Sequence, residues 1–259
     1  MDKPEISIIL PGIRAHNWNK LYDSIVEATT KSFELIIVGP YPLTGRLQNL
    51  RNVKYVKDFG SPMRASNIGA MLCEGRLVTW VADDAVVLPE SLDKNIDLLY
   101  SMGESTNNVV VTKYYEGNDH AHKPLQPDQY FKVNGADCTR SPFLSDGWWL
   151  FNVAIMHRSF FDSLGAWDCS FEACPMGHTD LAIRAQRAGA NVIMSEFPLL
   201  DCGHMPGTTG DHAPIHHAQI SHDTPRFQQR YRDPEWVNGS TKIDVNNWKD
   251  SSIIWKRRF

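Results

Sequence analysis

The stretch "PMRASNIGAMLCEGRLVTWVADD", residues 62–84, decides the fold. Pro62 stands near the start of a helical pattern and Gly75 just past its end, the two places where those residues suit a helix. Residues 76–82, "RLVTWVA", follow as a mostly apolar run of strand length. The run stops at Asp83 and Asp84, side by side. Two carboxylates a few ångströms apart repel each other unless a cation or another compensating charge lies close by. A solvated acidic loop and a metal-binding pair are both compatible with the local sequence, so the choice rests on the surroundings.

The same alternation of strand and helix extends outward on both sides. "EISIIL" (5–10) is a short apolar strand broken by Pro11-Gly12, and "NWNKLYDSIVEATTKS" (17–32) carries apolar residues at helical spacing with Asn17 as its cap. "FELIIVGP" (33–40) reads as a second strand and "NVKYVKDF" (52–59) as a third. Downstream, "ESLDKNIDLLYSMG" (90–103) suits a helix and "NNVVVTKYY" (107–115) a fifth strand. Such alternation predicts βαβ units and an α/β fold, a central mostly parallel sheet of Rossmann type with helices on both faces. Ligands of these sheets sit beyond the carboxyl ends of the strands. Pro11-Gly12, Gly39-Pro40 and Asp83-Asp84 all fall there.

Residues 117–150 are loop-rich. "WWLFNVAIMHRSFFDSLG" (148–165) then gives a strand and a short helix, "HTDLAIRAQRAG" (178–189) a helix with Thr179 as cap and Gly189 as stop, and "NVIMSEFPLL" (191–200) a strand. The tail from 201 shows no clear period before "SSIIWKRRF".

At 259 residues with 42% hydrophobic and 22% charged residues, the chain has the composition of a soluble globular protein. Its formal net charge of -4 gives no reason to expect a nucleic-acid partner. No run approaches the roughly 18 apolar residues of a membrane span. The five cysteines are odd in number and lack CxxC spacing, which reads as reduced thiols in a cytoplasmic protein. The basic end "WKRRF" is a candidate for peripheral membrane contact, with a solvated end as the default.

Four segments in order resemble family 2 glycosyltransferases of the GT-A fold: "SIILPGIR", "GSPMRASNIGAMLCEGRLVTWVADD", "FNVAIMHRSFFDSLGAWDCSF" and "MGHTDLAIRAQRAG". The resemblance spans roughly residues 5–205. It implies a GT-A domain over 1–205, with a nucleotide-binding half (1–115) and an acceptor half (116–205), and a C-terminal extension (206–259) packed on the same unit. It also implies a metal-dependent, inverting transfer of a sugar from a nucleotide sugar to a hydroxyl, in glycan or polysaccharide synthesis. The donor favoured is a UDP-sugar, with a GDP-sugar as the other option. The acceptor is a carbohydrate or lipid-linked carbohydrate, and the oligomeric state stays open.

The implied cofactor is Mn²⁺ or Mg²⁺, since carboxylates are hard oxygen ligands and the leaving diphosphate develops negative charge. Ala85 stands where the family places an aspartate. With Ala82 aligned instead to the first acid, Asp84 is the principal metal ligand, Asp83 contacts metal or ribose, and His204 closes the metal site. Pro11, Gly12, Arg14, Arg64 and Asn67 fall on the donor side, and Trp148 or Trp149 on the sugar pocket. The family's Glu-Asp pair is replaced by Gly177-His178, leaving His178 and Asp180 as candidate bases. Two other readings remain, a nucleotide-sugar-binding protein without catalysis and, with a weaker match in "PGIRAHN", a nucleotidyltransferase.

Overall fold

The apolar strands of this chain are two-faced. The computed structural model describes residues 3–116, 132–134, 147–203, 210–240, 242–249 and 258. The strands are β1 (Ile6–Pro11), β2 (Phe33–Gly39), β3 (Val53–Lys57), β4 (Leu77–Trp80), β5 (Ala85–Val87), β6 (Asn108–Glu116), β7 (Lys132–Asn134), β8 (Gly147–Trp149), β9 (Ala154–His157) and β10 (Asn191–Cys202). The helices are α1 (Trp18–Ala28), α2 (Pro62–Ala70), α3 (Ser91–Ser101), α4 (Arg158–Leu164), α5 (Cys174–Arg187), α6 (Ala213–Ala218), α7 (Thr224–Arg230) and α8 (Pro234–Asn238), with a π turn over Gln219–Asp223.

Ile6, Ile8 and Leu10 of β1 enter one core with Trp18, Leu21 and Ile25 of α1 and Leu92, Ile96 and Leu99 of α3. Ile9, with Ile36, Val38, Val78 and Trp80, enters the other, against α2, α4 and α5. Period-2 side-chain alternation sends neighbours to opposite faces. A strand covered on both sides must therefore be apolar throughout, which is why these runs are continuous. Each fully buried large aliphatic side chain contributes about 1.5–3 kcal/mol.

The main sheet has eight strands in the order β3-β2-β1-β4-β9-β6-β10-β5. β1 to β4 are parallel, as are β6 and β10. β9 lies antiparallel between β4 and β6, and β5 lies antiparallel at the edge beside β10. β7 and β8 pair separately. The chain leaves β4 in mid-sheet and joins β5 at the far edge, and Asp83-Asp84 lie on that crossing. Beside it, Gly12 donates its N–H to the Val38 carbonyl at 2.9 Å. A Cβ on Gly39 would collide with the Gly12 carbonyl, so glycine lets the ends of β1 and β2 close together.

Several elements depart from expectation. α2 ends at Ala70, short of Gly75. α5 begins at Cys174 rather than at 178, so Thr179 is internal and its hydroxyl donates to the Pro175 carbonyl at 2.6 Å. The N–H groups of Glu172 and Ala173, just ahead of the helix, are taken by the buried Asp223 carboxylate at 2.7–3.1 Å. The tail, expected to be aperiodic, is helical over much of 213–238.

This tail clasps the segment before α5. Arg230 pairs with Asp168 at 2.5 Å and stacks between the rings of Phe171 and Trp236. Arg258 holds Glu172 through bonds of 2.5 and 2.7 Å, so this member of the basic terminal run is engaged with the protein. Among the described residues, no helix is long and apolar enough to cross a membrane.

Candidate functional site

Past the end of β1 the backbone turns its N–H groups toward Asp83. Ile13 and Arg14 N–H both donate to Asp83 Oδ2 at 2.6 Å, and Arg14 Nη1 donates to Oδ1 at 2.5 Å. Asn17 makes no side-chain cap bond to α1 and instead donates from Nδ2 to the Asp83 carbonyl at 3.1 Å. Asp83, 4% exposed, thus ties the end of β4 to the β1–α1 loop.

Arg14 carries the rest of the charge network. Its Nε and Nη2 donate to the two carboxylate oxygens of Asp211, both at 2.9 Å, and Nη1 lies 4.0 Å from Asp84. Burial alone would lower the pKa of this guanidinium, but Asp83, Asp211 and Asp84 more than reverse that and raise it. One guanidinium among three carboxylates leaves this corner net negative.

These groups stand at a crevice of about 530 Å³, within the range of small-molecule sites. One side is formed by Pro11 to Arg14, Gly39-Pro40 and Trp80 to Asp84. The facing side comes from Asn152, the first turns of α5 with Cys174 and His178, and Asp211, Ile215, His216 and Gln219 of the tail. The crevice therefore lies at the carboxyl ends of β1, β2 and β4, as the topology requires.

Pro11, Gly12, Arg14, Asp83, Asp84 and His178 are brought together here; other expected residues are not. Asp180 is fully buried away from the crevice, accepting from Arg184 Nε at 2.7 Å, the Tyr231 hydroxyl at 2.9 Å and Arg230 at 3.3 Å. These bonds tie α5 to the tail, and Asp180 is not among the residues that line the crevice. Arg64 pairs with Asp58 at 3.1 Å and stacks on Trp248, outside the lining. Asn67 is fully buried, donating to the Val245 carbonyl at 2.7 Å and accepting from Trp167 N–H at 3.1 Å. Trp149 exchanges backbone hydrogen bonds with the Gln186 side chain and packs on the core. His204 and the Trp148 side chain lie outside the described residues.

His178 lines the crevice but is 8% exposed, its ring 5.5 Å from that of Trp80 and 6.1 Å from that of Trp167. Burial lowers its pKa to about 3, so it is neutral near physiological pH and a poor proton acceptor. Its neighbour Gly177 has a packing reason, because a Cβ there would collide with the Met63 sulfur. Asp211, Trp80 and Asn152 had no place in the sequence-based site. Asp211 sits in the aperiodic tail, and Trp80 reads from sequence as one more buried strand residue.

No protein-family model and no curated protein matches the chain. Solved structures do. S. aureus TarS 1–349 in complex with UDP matches over 90% of this chain and 71% of its own, with a TM-score of 0.55 at 14% identity. TarS is a family 2 glycosyltransferase. The fold is GT-A. TarS 1–349 in complex with UDP-GlcNAc gives a TM-score of 0.52 at 15% identity over 90% of this chain and 72% of that one. The longer TarS chain gives 0.54 at 15% identity, covering 86% of this chain and 41% of that one. In this GT-A fold the acid pair follows β4, and the crevice opens between the Pro11–Arg14 turn and α5.

Proposed function

We propose that the chain is a nucleotide-sugar-dependent glycosyltransferase with a UDP-sugar as favoured donor and a carbohydrate or lipid-linked hydroxyl as acceptor. The observation that carries this is the crevice at the carboxyl ends of β1, β2 and β4, bounded by the Pro11–Arg14 turn and the acid pair. The UDP and UDP-GlcNAc complexes of TarS, which shares the fold, support a UDP-linked donor. In this reading Pro11 and Gly12 let the nucleotide approach the backbone, and Arg14 meets a donor phosphate. Asp83, already bonded to three N–H donors, shapes the loop rather than the ligand.

A divalent cation suits the donor set. Three carboxylates against one guanidinium would repel a diphosphate, and Mg²⁺ or Mn²⁺ shared with phosphate oxygens needs only one or two protein carboxylates. Asp84 is the residue proposed to hold it. Among the described residues there is no group of three or more His, Cys, Asp or Glu side chains placed to hold a metal, and in this reading the donor's phosphates supply the remaining ligands. When bound, the ion would neutralise charge developing on the leaving diphosphate.

A second reading, a nucleotide-sugar-binding protein without turnover, is favoured by one observation. His178 is neutral and buried and Asp180 is locked in ion pairs, so neither expected base suits an inverting transfer. A thermal-shift titration with UDP, GDP, CMP and dTDP, each with and without Mn²⁺, tests the common part of both readings. A ligand at 100 times its Kd stabilises the folded state by about 2.7 kcal/mol. Mn²⁺-dependent stabilisation by one nucleoside diphosphate is the expected result, and no shift with any of them overturns the proposal. Release of the nucleotide from a labelled donor then separates transferase from binder.

A further inference from the structure

Polar side chains at the Trp80 end of the crevice serve neither the core nor the charged corner. His178 is 8% exposed and lines the crevice, and its imidazole makes no hydrogen bond with any described residue. Asn152, half-buried, lines it as well, and its carboxamide also has no partner among the described residues. Trp80 fixes both. Its ring packs 5.5 Å from that of His178, and its indole N–H donates to the Asn152 carbonyl at 2.7 Å. Neither side chain is among those with buried unpaired polar atoms, so these atoms open onto the crevice, where a ligand could pair with them.

We propose that His178 and Asn152, held by Trp80, form a carbohydrate subsite that reads hydroxyl groups of the donor sugar. The chemistry fits. A neutral imidazole offers one donor and one acceptor, and a carboxamide offers two donors and an acceptor, matching ring hydroxyls that both donate and accept. The position fits as well, since Trp80 ends β4 three residues before Asp83 and four before Asp84. A sugar attached to a diphosphate near Asp84 is therefore within reach. His178 then acts as a positioning residue that binds substrate, not as the proton acceptor expected from the family pattern. This inference rests on the nucleotide-sugar reading and deepens it by assigning the sugar's contacts.

The test is calorimetric titration of the full chain, with Mn²⁺ present, by UDP, UDP-glucose, UDP-GlcNAc, GDP and GDP-mannose. One nucleotide sugar should bind more tightly than its parent diphosphate. H178A and N152A should each weaken that nucleotide sugar about 3- to 10-fold, the loss of one or two hydrogen bonds, and leave the parent diphosphate unchanged. H178Q, which keeps a donor and an acceptor but cannot serve as a base, should retain most of the affinity and any turnover. Unchanged diphosphate binding also reports that each variant is folded, and N152A stands at a half-buried position where folding is not at risk. If the sugar adds no affinity in the native protein, or if the variants weaken diphosphate and nucleotide sugar alike, the subsite is overturned. If no diphosphate binds at all, the nucleotide reading itself fails, and the subsite with it.

Discussion

Arg14 and Asp211, 197 positions apart in the chain, face each other through two bonds of 2.9 Å. A carboxylate on the guanidinium fork has the geometry a phosphate would take. Asp211 thus occupies the edge of Arg14 proposed to meet the donor, and the tail is joined to the β1–α1 side of the crevice.

From this competition D211N is expected to tighten binding of UDP with Mn²⁺ about 5-fold, because it removes one negative charge and one rival for Arg14. R14M should weaken it by at least as much. Calorimetric titration of both variants checks the pair. An unchanged or weaker affinity in D211N would mean that Asp211 and the donor do not share Arg14.

Asp83 and Asp84 are adjacent in sequence but should separate in their effects. D83A leaves the Ile13 and Arg14 N–H groups without an acceptor, at about 1–3 kcal/mol for each buried unsatisfied donor. D84N removes the charge that lies 4.0 Å from Arg14, while the Asp84 backbone bond from Gly203 N–H survives. Urea denaturation should therefore show a large loss for D83A and under about 1 kcal/mol for D84N. Titration with Mn²⁺ and UDP should show the reverse order at equal folded fraction, with D84N losing the metal-dependent increment. Equal behaviour of the two variants would defeat the division.

Sheet and acid pair were legible because their causes are local. Two-faced strands must be continuously apolar, and breakers such as Pro11-Gly12 mark their ends. The tail was not legible, for a physical reason. Among the described residues its buried ones are Ala218, Asp223, Phe227 and Tyr231, spaced by five, four and four. The π turn adds one residue between the first two, which breaks the 3.6-residue period, and one member of the stripe is an aspartate. That aspartate also explains the missed start of α5. Its acceptor for the N–H groups ahead of the helix comes from 50 positions away, so no capping residue appears beside Cys174. Asp180 looked catalytic because its partners Arg230 and Tyr231 lie in that same tail.

Acid should loosen the clasp of the tail. Burial pushes the Asp168 carboxyl up, but Arg230 and the hydroxyl and amide of Ser170 outweigh it and hold it below its ordinary value. A carboxyl depressed in the folded state contributes stability that is complete above its unfolded pKa and lost as pH falls through the folded one. R230M strands Asp168, so it should cost about 3 kcal/mol near neutral pH. That difference should begin to shrink as pH falls below about 4, the unfolded value, and disappear only below the depressed pKa that Asp168 has in the native protein. Denaturant melts of the two proteins across this range read it directly. A difference independent of pH would assign the effect to the stacking of Arg230 between Phe171 and Trp236 instead.

Gly177 offers the sharpest test of packing beneath the crevice. On helix propensity alone, G177A should stabilise α5 by up to about 1 kcal/mol. The added Cβ, however, would meet the sulfur of Met63, which is fully buried on α2. Met63 is itself fully buried, and overpacking of this kind costs about 1–3 kcal/mol. The clash should win, so G177A destabilises. In an M63A background the obstruction is gone and the same change should become stabilising, a reversal of sign readable in urea denaturation of the four proteins. Stabilisation by G177A in the native background would show that Met63 yields. The expected reversal would instead tie the glycine at this position to the close approach of the Met63 side chain from α2.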